Sequence, residues 1–250
     1  MLLAYYSNHI WIDYLYPKKR FNLIYIVYSF FQKNNHIPLN KFIFHFKYRL
    51  KKYLNKIGIH KADRALMVPK MTYKEYSLFK NFLTENLGSL YLESGSGGST
   101  LIAERIGLDY HAYETNAGYA EYMNALLGIS KVNHIPVGET AKYGRPLKIT
   151  KAHADLISGV FDDHIKANTY PNVIAFLDGR CRVLTALKIH PLLKADDVVL
   201  VHDFHRSNYQ DILEAYDLVN RVDNLAMLKK KKISEPKRVS LAKKHATDIE

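Results

Sequence analysis

Residues 90–106 constrain this 250-residue chain more than any other passage. A short apolar run, Leu90-Tyr91-Leu92, leads into Glu93-Ser-Gly-Ser-Gly-Gly-Ser-Thr100, after which residues 101–106 take up helical spacing as far as Gly107. That order predicts a strand, a glycine turn and a helix. Glycines let a backbone pass close to a ligand, and a helix start presents unpaired N–H groups. Residues 108–113 read as a second strand. Glu114 at its end stands 19 residues after Gly95, a spacing that suits a carboxylate accepting hydrogen bonds from two ribose hydroxyls.

The details separate the nucleotide ligands. A dinucleotide fingerprint would place glycine at the sixth position, where this chain has Thr100, and it has no use for the acid Glu93 just before the turn. No Walker lysine follows, which removes a phosphate-loop ATPase. An acid at the first strand's tip suits a ligand that carries a charged amino group beside its nucleoside, and S-adenosylmethionine is such a ligand.

The surrounding pattern is that of alternating strands and helices. Residues 72–86 predict a helix with Thr72 and Glu75 as a capping box, and Gly88 ends it. A helix over 117–127 follows Glu114, then a third strand over 132–137 and one helix over 153–167. Residues 173–177 form an unbroken apolar run, as a strand buried on both faces should. A helix over 183–193, a fifth strand over 197–201, and strands over 216–221 and 225–228 turned through Asp223-Asn224 complete the expected order. The fold class is therefore α/β: a Rossmann-like sheet of about seven mostly parallel strands, closed by an antiparallel hairpin.

Four stretches in this order, Tyr91 to Thr100, Tyr113-Glu-Thr, Val173-Ile-Ala-Phe-Leu-Asp-Gly-Arg-Cys-Arg-Val183 and Val198-Val-Leu-Val-His-Asp-Phe-His-Arg206, resemble the class I S-adenosylmethionine-dependent methyltransferases. More narrowly the chain is similar to a bacterial and viral branch that is distantly like the plant glucuronoxylan O-methyltransferases. The resemblance covers residues 67–232, and Ser99 departs from it where many members have a third glycine. It implies that Glu93, Gly95, Gly97 and Ser99 hold the methionine portion, Glu114 the ribose, and the loop with Glu139 the adenine edge. It also implies that Asp178 sits near the sulfonium methyl.

Methyl transfer is an in-line displacement at an activated carbon, so the protein must align the partners and take a proton from the acceptor hydroxyl. Asp178, His202, Asp203 and His205 are the catalytic candidates at the strand ends. Some small-molecule O-methyltransferases of this fold bind a divalent ion such as Mg or Mn at the positions of Asp178 and Asp203. Here Phe204 stands where a further ligand would be, and Asp203 has a competing role, capping a helix or pairing with Arg206. Arg180 and Arg182 suit recognition of an acidic acceptor, such as a uronic acid or phosphorylated sugar, or else surface ion pairs. Cys181 has no base placed to make it a nucleophile and reads as structural.

Charge divides the chain into three. Residues 1–70 carry 13 basic and 2 acidic side chains, residues 71–228 carry 15 and 19, and residues 229–250 carry 8 and 3, for nets of +11, −4 and +5. A basic, aromatic-rich and helical N-terminal extension (1–66), a catalytic domain (67–232) and a polar basic tail (233–250) follow, the tail being expected to be solvated and mobile. Residues 18–31 and 42–54 alternate basic and aromatic side chains. They read either as interfacial helices on a membrane surface or as aromatics packed on the main domain, and nucleic acid is the disfavoured partner. No secretory signal or membrane-spanning run is visible, so a reducing, cytoplasmic setting is expected, with membrane association open. The expected function is an O-methyltransferase acting on a sugar hydroxyl of a glycan or glycan precursor, or on a related small molecule. The alternatives are a nicotinamide-dependent sugar oxidoreductase and an RNA methyltransferase or adaptor using the basic ends.

Overall fold

The computed structural model describes residues 38–60, 63–167 and 169–249. The basic aromatic stretch over 18–31 lies outside them; the second stretch falls within helix α1 (Leu39–Lys56). That helix buries Phe44, Leu50 and Leu54. The Phe44 ring meets Tyr73 and Tyr76 at 5.8 and 4.8 Å, so Phe44 packs against the main domain, while Tyr48 is exposed. No described helix is long and apolar enough to cross a membrane.

A one-turn helix α2 (Asp63–Leu66) leads to α3 (Tyr73–Glu85), whose capping box forms as expected: Glu75 N–H donates to Thr72 Oγ1, and Thr72 N–H donates to Glu75 Oε2. Then come β1 (Leu90–Ser94), α4 (Gly98–Ile106), β2 (Asp109–Glu114), α5 (Ala117–Leu127) and β3 (Val132–His134). A small ribbon of β4 (Thr140–Ala141) and β5 (Arg145–Pro146) precedes α6 (Lys151–Gly159) and α7 (Asp162–Lys166). The chain closes with β6 (Val173–Leu177), α8 (Arg182–Ile189), β7 (Val198–Val201), a 3-10 turn (Ser207–Glu214), β8 (Tyr216–Val222), β9 (Leu225–Lys230) and α9 (Glu235–Lys244).

Seven strands make one sheet in the order β3-β2-β1-β6-β7-β9-β8. The first five are mutually parallel, and β9 runs antiparallel between β7 and β8. The strand period of two sorts the apolar runs onto two faces. Leu90, Leu92, Val173, Ala175 and Leu177 face α8 and the 3-10 turn, while Tyr91, Ile174, Phe176 and Leu200 face α3, α4 and α5. This explains why β6 contains no polar residue: both of its faces are core. The order reverses between β1 and β6, because crossovers from β1 travel one way and those from β6 the other. The strand tips open a crevice there.

Two expectations change. The single helix over 153–167 is two helices, broken where Phe161 turns fully into the core beneath β6. The tail is not a mobile coil over 235–249. Arg238 Nη1 donates to Leu187 O at 2.9 Å, and His245 is buried between Asp211 and Asp248.

Candidate functional site

The glycine turn shapes the site through close backbone approach. Gly95, at φ +92°, lies so near the β6 loop that a Cβ on it would stand 2.6 Å from Gly179 N. Gly98 is equally confined from the other side, where a Cβ would meet Pro69 N at 2.3 Å. Gly97, by contrast, has only Tyr119 Oη near, at 3.8 Å, and leaves room for a ligand against bare backbone. These loops line a cleft of about 900 Å³ together with residues 114–116, 140–144 and 178–180. Its outer wall comes from the N-terminal segment: Tyr48, Lys51 and Lys52 of α1, and residues 66–70.

Glu114 lines the cleft at the tip of β2 and is 8% exposed. Its Oε1 accepts from Asn116 N–H at 2.9 Å, and burial raises its pKa against that hydrogen bond. Gly144, at φ +64°, brings the 142–145 turn onto it: a Cβ there would lie 2.4 Å from Thr115 Oγ1 and 2.7 Å from Glu114 Oε1. Thr115 Oγ1 donates to Gly144 O at 2.6 Å and ties the two loops.

Glu93 is placed differently from expectation. It is fully buried beneath the turn, where its Oε1 accepts from Ser99 Oγ, and it is not among the cleft's lining residues. Burial pushes its pKa up to about 8, against the hydrogen bonds from Ser99 and Thr100. The acid braces the loop from below, while Gly95, Gly97 and Ser99 face the cleft. Glu139 is exposed and also lies outside the lining, where Thr140 and Ala141 take its place.

At the tip of β6 Asp178 lines the cleft. Its Oδ1 accepts from His202 Nδ1 at 3.1 Å and stands 3.1 Å from Arg182 Nη2. His202 sits behind it, buried, with Nε2 3.6 Å from Glu75 Oε2. Burial opposes the imidazolium, but the hydrogen bond and charge of Asp178, with Asp203 and Glu75, outweigh it and raise the His202 pKa. Asp203, at φ +57°, accepts from Arg206 Nη2 at 2.8 Å and from Arg182 Nη1 at 3.3 Å. Burial disfavours its carboxylate, yet Arg182, His202 and Arg206 hold its pKa below the usual range. His205 is exposed and stands apart from this cluster.

Two further expectations meet the geometry here. Arg182 is buried and spends its donors inside the protein, on the carbonyls of Gly179, His202 and Asp178 as well as on the two aspartates. It holds loops together and offers no fork to an acceptor; Arg180 does line the cleft, with Nη2 donating to Tyr143 O at 2.9 Å. Asp178, His202 and Asp203 could each turn one ligand atom to a shared point, all within 4.8 Å of one another. But the guanidiniums of Arg182 and Arg206 already supply the counter-charge, and a divalent ion would face those fixed cations. The residues do not fit the expected metal site. Cys181 is buried, and burial pushes its thiol up to about 12, as befits a structural residue.

Sequence reasoning gave no place at the site to Tyr143, Lys52 and Lys70, which line the cleft, or to Glu75, which stands behind His202. Glu75 was visible only as a helix cap; its Oε1 also accepts from Asn224 N–H at 2.6 Å, across 149 residues, which no local pattern announces.

No protein-family model matches the chain. No curated protein sequence matches it either. Among solved structures it is similar to a methyltransferase-like protein from Silicibacter pomeroyi, at 21% identity over 73% of this chain and 98% of that one, with a TM-score of 0.58. A caffeoyl-CoA O-methyltransferase candidate from Staphylococcus aureus aligns at 17% identity over 84% and 100% of the two chains, with a TM-score of 0.46. The first of these likenesses, with the seven-strand order, shows that the chain has the Rossmann-like fold of the class I S-adenosylmethionine-dependent methyltransferases.

Proposed function

We propose that the protein is an S-adenosylmethionine-dependent O-methyltransferase acting on a sugar hydroxyl of a glycan or glycan precursor. One observation carries the reading: a single cleft at the strand tips joins a glycine turn with open backbone at Gly97, a ribose-type acid at Glu114 and the held carboxylate of Asp178. The strand order favours it over a nicotinamide oxidoreductase, whose sheet runs 3-2-1-4-5-6 without an antiparallel strand inserted before the edge.

The cofactor supplies an activated methyl group when bound. The chain's own residues align and deprotonate. Glu114 would accept hydrogen bonds from the ribose hydroxyls, and the glycine turn ahead of α4, which lines the cleft, would hold the methionine portion. Asp178 Oδ1 is occupied by His202 and Arg182, which fixes the carboxyl and leaves Oδ2 to accept the proton of the acceptor hydroxyl. His202 is thus a positioning residue, and Asp203 anchors Arg182.

Calorimetry with S-adenosylhomocysteine tests the cofactor, with micromolar binding expected. An absence of binding would remove the reading. Transfer of labelled methyl groups to a glycan panel tests the chemistry: Asp178→Asn should keep the product complex and lose at least a hundredfold in turnover, and undiminished transfer would remove Asp178 as the proton acceptor.

A further inference from the structure

Away from the Asp178 cluster, two histidines stand in direct contact that neither the cofactor nor the acceptor chemistry employs. His111 of β2 and His164 of α7 stack ring on ring, with centroids 3.9 Å apart and planes 27° from parallel. Both are half-buried. On β2 the period of two places Asp109, His111 and Tyr113 on one face, the face that meets α7. Tyr113 Oη lies 2.6 Å from His164 Nε2, and the Tyr113 ring packs edge-on against Phe161 at 5.9 Å. Tyr113 also lines the cofactor cleft beside Glu114, and its carbonyl accepts from Gly95 N–H at 2.8 Å. The imidazole pair is therefore one hydrogen bond from the cleft wall.

We propose that His164 is a positioning residue for Tyr113 and that its stack with His111 makes this wall of the cleft pH-sensitive: the wall is held while the pair carries at most one proton and loosens once both imidazoles are charged. Two imidazolium rings at this distance, partly shielded from water, repel each other, so the first proton opposes the second and the pair titrates in coupled steps. Protonation also reverses the hydrogen bond. A bare Nε2 accepts from the phenol, whereas Nε2–H can only donate and leaves the phenolic hydrogen without that acceptor. Burial and then Asp163 raise the Tyr113 pKa, so the phenol keeps its hydrogen throughout.

The neighbouring charges do not cancel the repulsion. Asp109 is the acid on the histidines' own strand face, and it is engaged by Lys131 Nζ at 3.0 Å and by Tyr170 Oη. Lys131, just ahead of β3, adds positive charge, and His134 at the end of β3 is exposed. On α7, Asp162 has Lys166 and Lys188 as counter-charges. Burial, His164 and Lys131 hold the His111 pKa below its ordinary value against the pull of Asp109. The contribution of the stack is thus full above about pH 6.5 and is lost as pH falls through the folded value. The link to affinity rests on the cofactor reading above, while the coupled titration does not.

NMR of the imidazole carbon protons of the full chain without ligand, from pH 8 to pH 5, should show His111 and His164 titrating in coupled steps. His164→Gln should move the His111 pKa up toward its ordinary value. Calorimetry should show wild-type affinity for S-adenosylhomocysteine falling at least threefold further between pH 7.5 and pH 5.5 than that of His111→Gln, whose pair never carries two charges. At pH 7.5 His111→Gln should bind within twofold of the wild type. Tyr113→Phe, which keeps the ring and removes the hydroxyl, should show the same reduced pH dependence as His111→Gln. Independent titration of the two imidazoles, or an equal pH dependence of affinity in the wild type and both variants, overturns the inference and leaves the cofactor reading intact. Failure of S-adenosylhomocysteine to bind the wild type at either pH overturns the cofactor reading and, with it, the link from the pair to the cleft.

Discussion

Gly95 and Gly179 hold the tips of β1 and β6 in backbone contact: a Cβ on Gly95 would lie 2.6 Å from Gly179 N, and one on Gly179 would lie 2.9 Å from Gly95 N. Neither loop can yield alone, since Gly95 N–H donates to Tyr113 O and Asp178 N–H donates to Ser94 O. Gly95→Ala and Gly179→Ala should each cost on the order of 1–3 kcal/mol and at least tenfold in S-adenosylhomocysteine affinity. Gly97→Ala, with open space at its Cβ, should melt like the wild type and lose affinity only. Equal melting temperatures for all three variants would show that the contact does not confine the loops.

The buried Glu93 makes stability depend on pH. Its pKa stands at about 8 in the folded protein against about 4.3 in an unfolded chain. Between these values the folded state holds a proton that the unfolded state has lost, so stability falls as pH rises through that window. Glu93→Gln removes the titration while preserving shape. It should melt close to wild type at pH 4 and a few degrees higher at pH 8. A wild-type melting temperature that rises across this range relative to Glu93→Gln would contradict the assignment.

Why part of this was readable from the chain and part was not comes down to range. The apolar run over 173–177 signals a strand buried on both faces because both of its side-chain sets meet core, and the Thr72–Glu75 box signals a helix start through a contact three residues long. Glu114 was visible from its place after β2. The directions in which Glu93 and Arg182 point were not, because loop packing decides them: Ser99 draws Glu93 under the turn, and three carbonyls draw Arg182 inward. The charge of the first 70 residues was visible too, but that α1 folds back to wall the cleft depends on Phe44 meeting Tyr76 across 32 positions.

Glu114 and the Gly144 turn should act as one unit. Glu114→Gln removes the charged acceptor, and Gly144→Ala would drive a methyl group into Thr115 Oγ1 and Glu114 Oε1 at a strained φ. Each should weaken S-adenosylhomocysteine binding by roughly tenfold or more, and the double variant should lose much less than the sum. Strict additivity in calorimetry would separate the two residues.

His202 should titrate above the ordinary imidazole value, with its raised pKa traceable to Asp178. A group raised in this sense stabilises the fold fully below its unfolded pKa of about 6.5, and that contribution is lost as pH rises through the folded value. NMR of the imidazole carbon protons reads the shift directly. Asp178→Asn should lower the His202 pKa, and an unchanged value would show that Asp203 and Glu75 hold the imidazolium without it.

The last helix offers a test away from the cleft. His245 is 3% exposed, with Nε2 2.8 Å from Asp211 Oδ2 and Nδ1 3.1 Å from Asp248 Oδ2, so one imidazole ties the end of α9 to the 3-10 turn and to the residues beyond it. Replacing it by alanine leaves both carboxylates without that partner, although Lys244 and Asn208 still reach Asp211 and Asp248. His245→Ala should therefore cost about 1–3 kcal/mol. Hydrogen exchange should show the loss concentrated in α9 and the 3-10 turn, with β1 and β6 protected as in the wild type. S-adenosylhomocysteine affinity should stay within twofold, because no group in this contact lines the cleft; a larger loss would mean that the docked tail supports the strand tips.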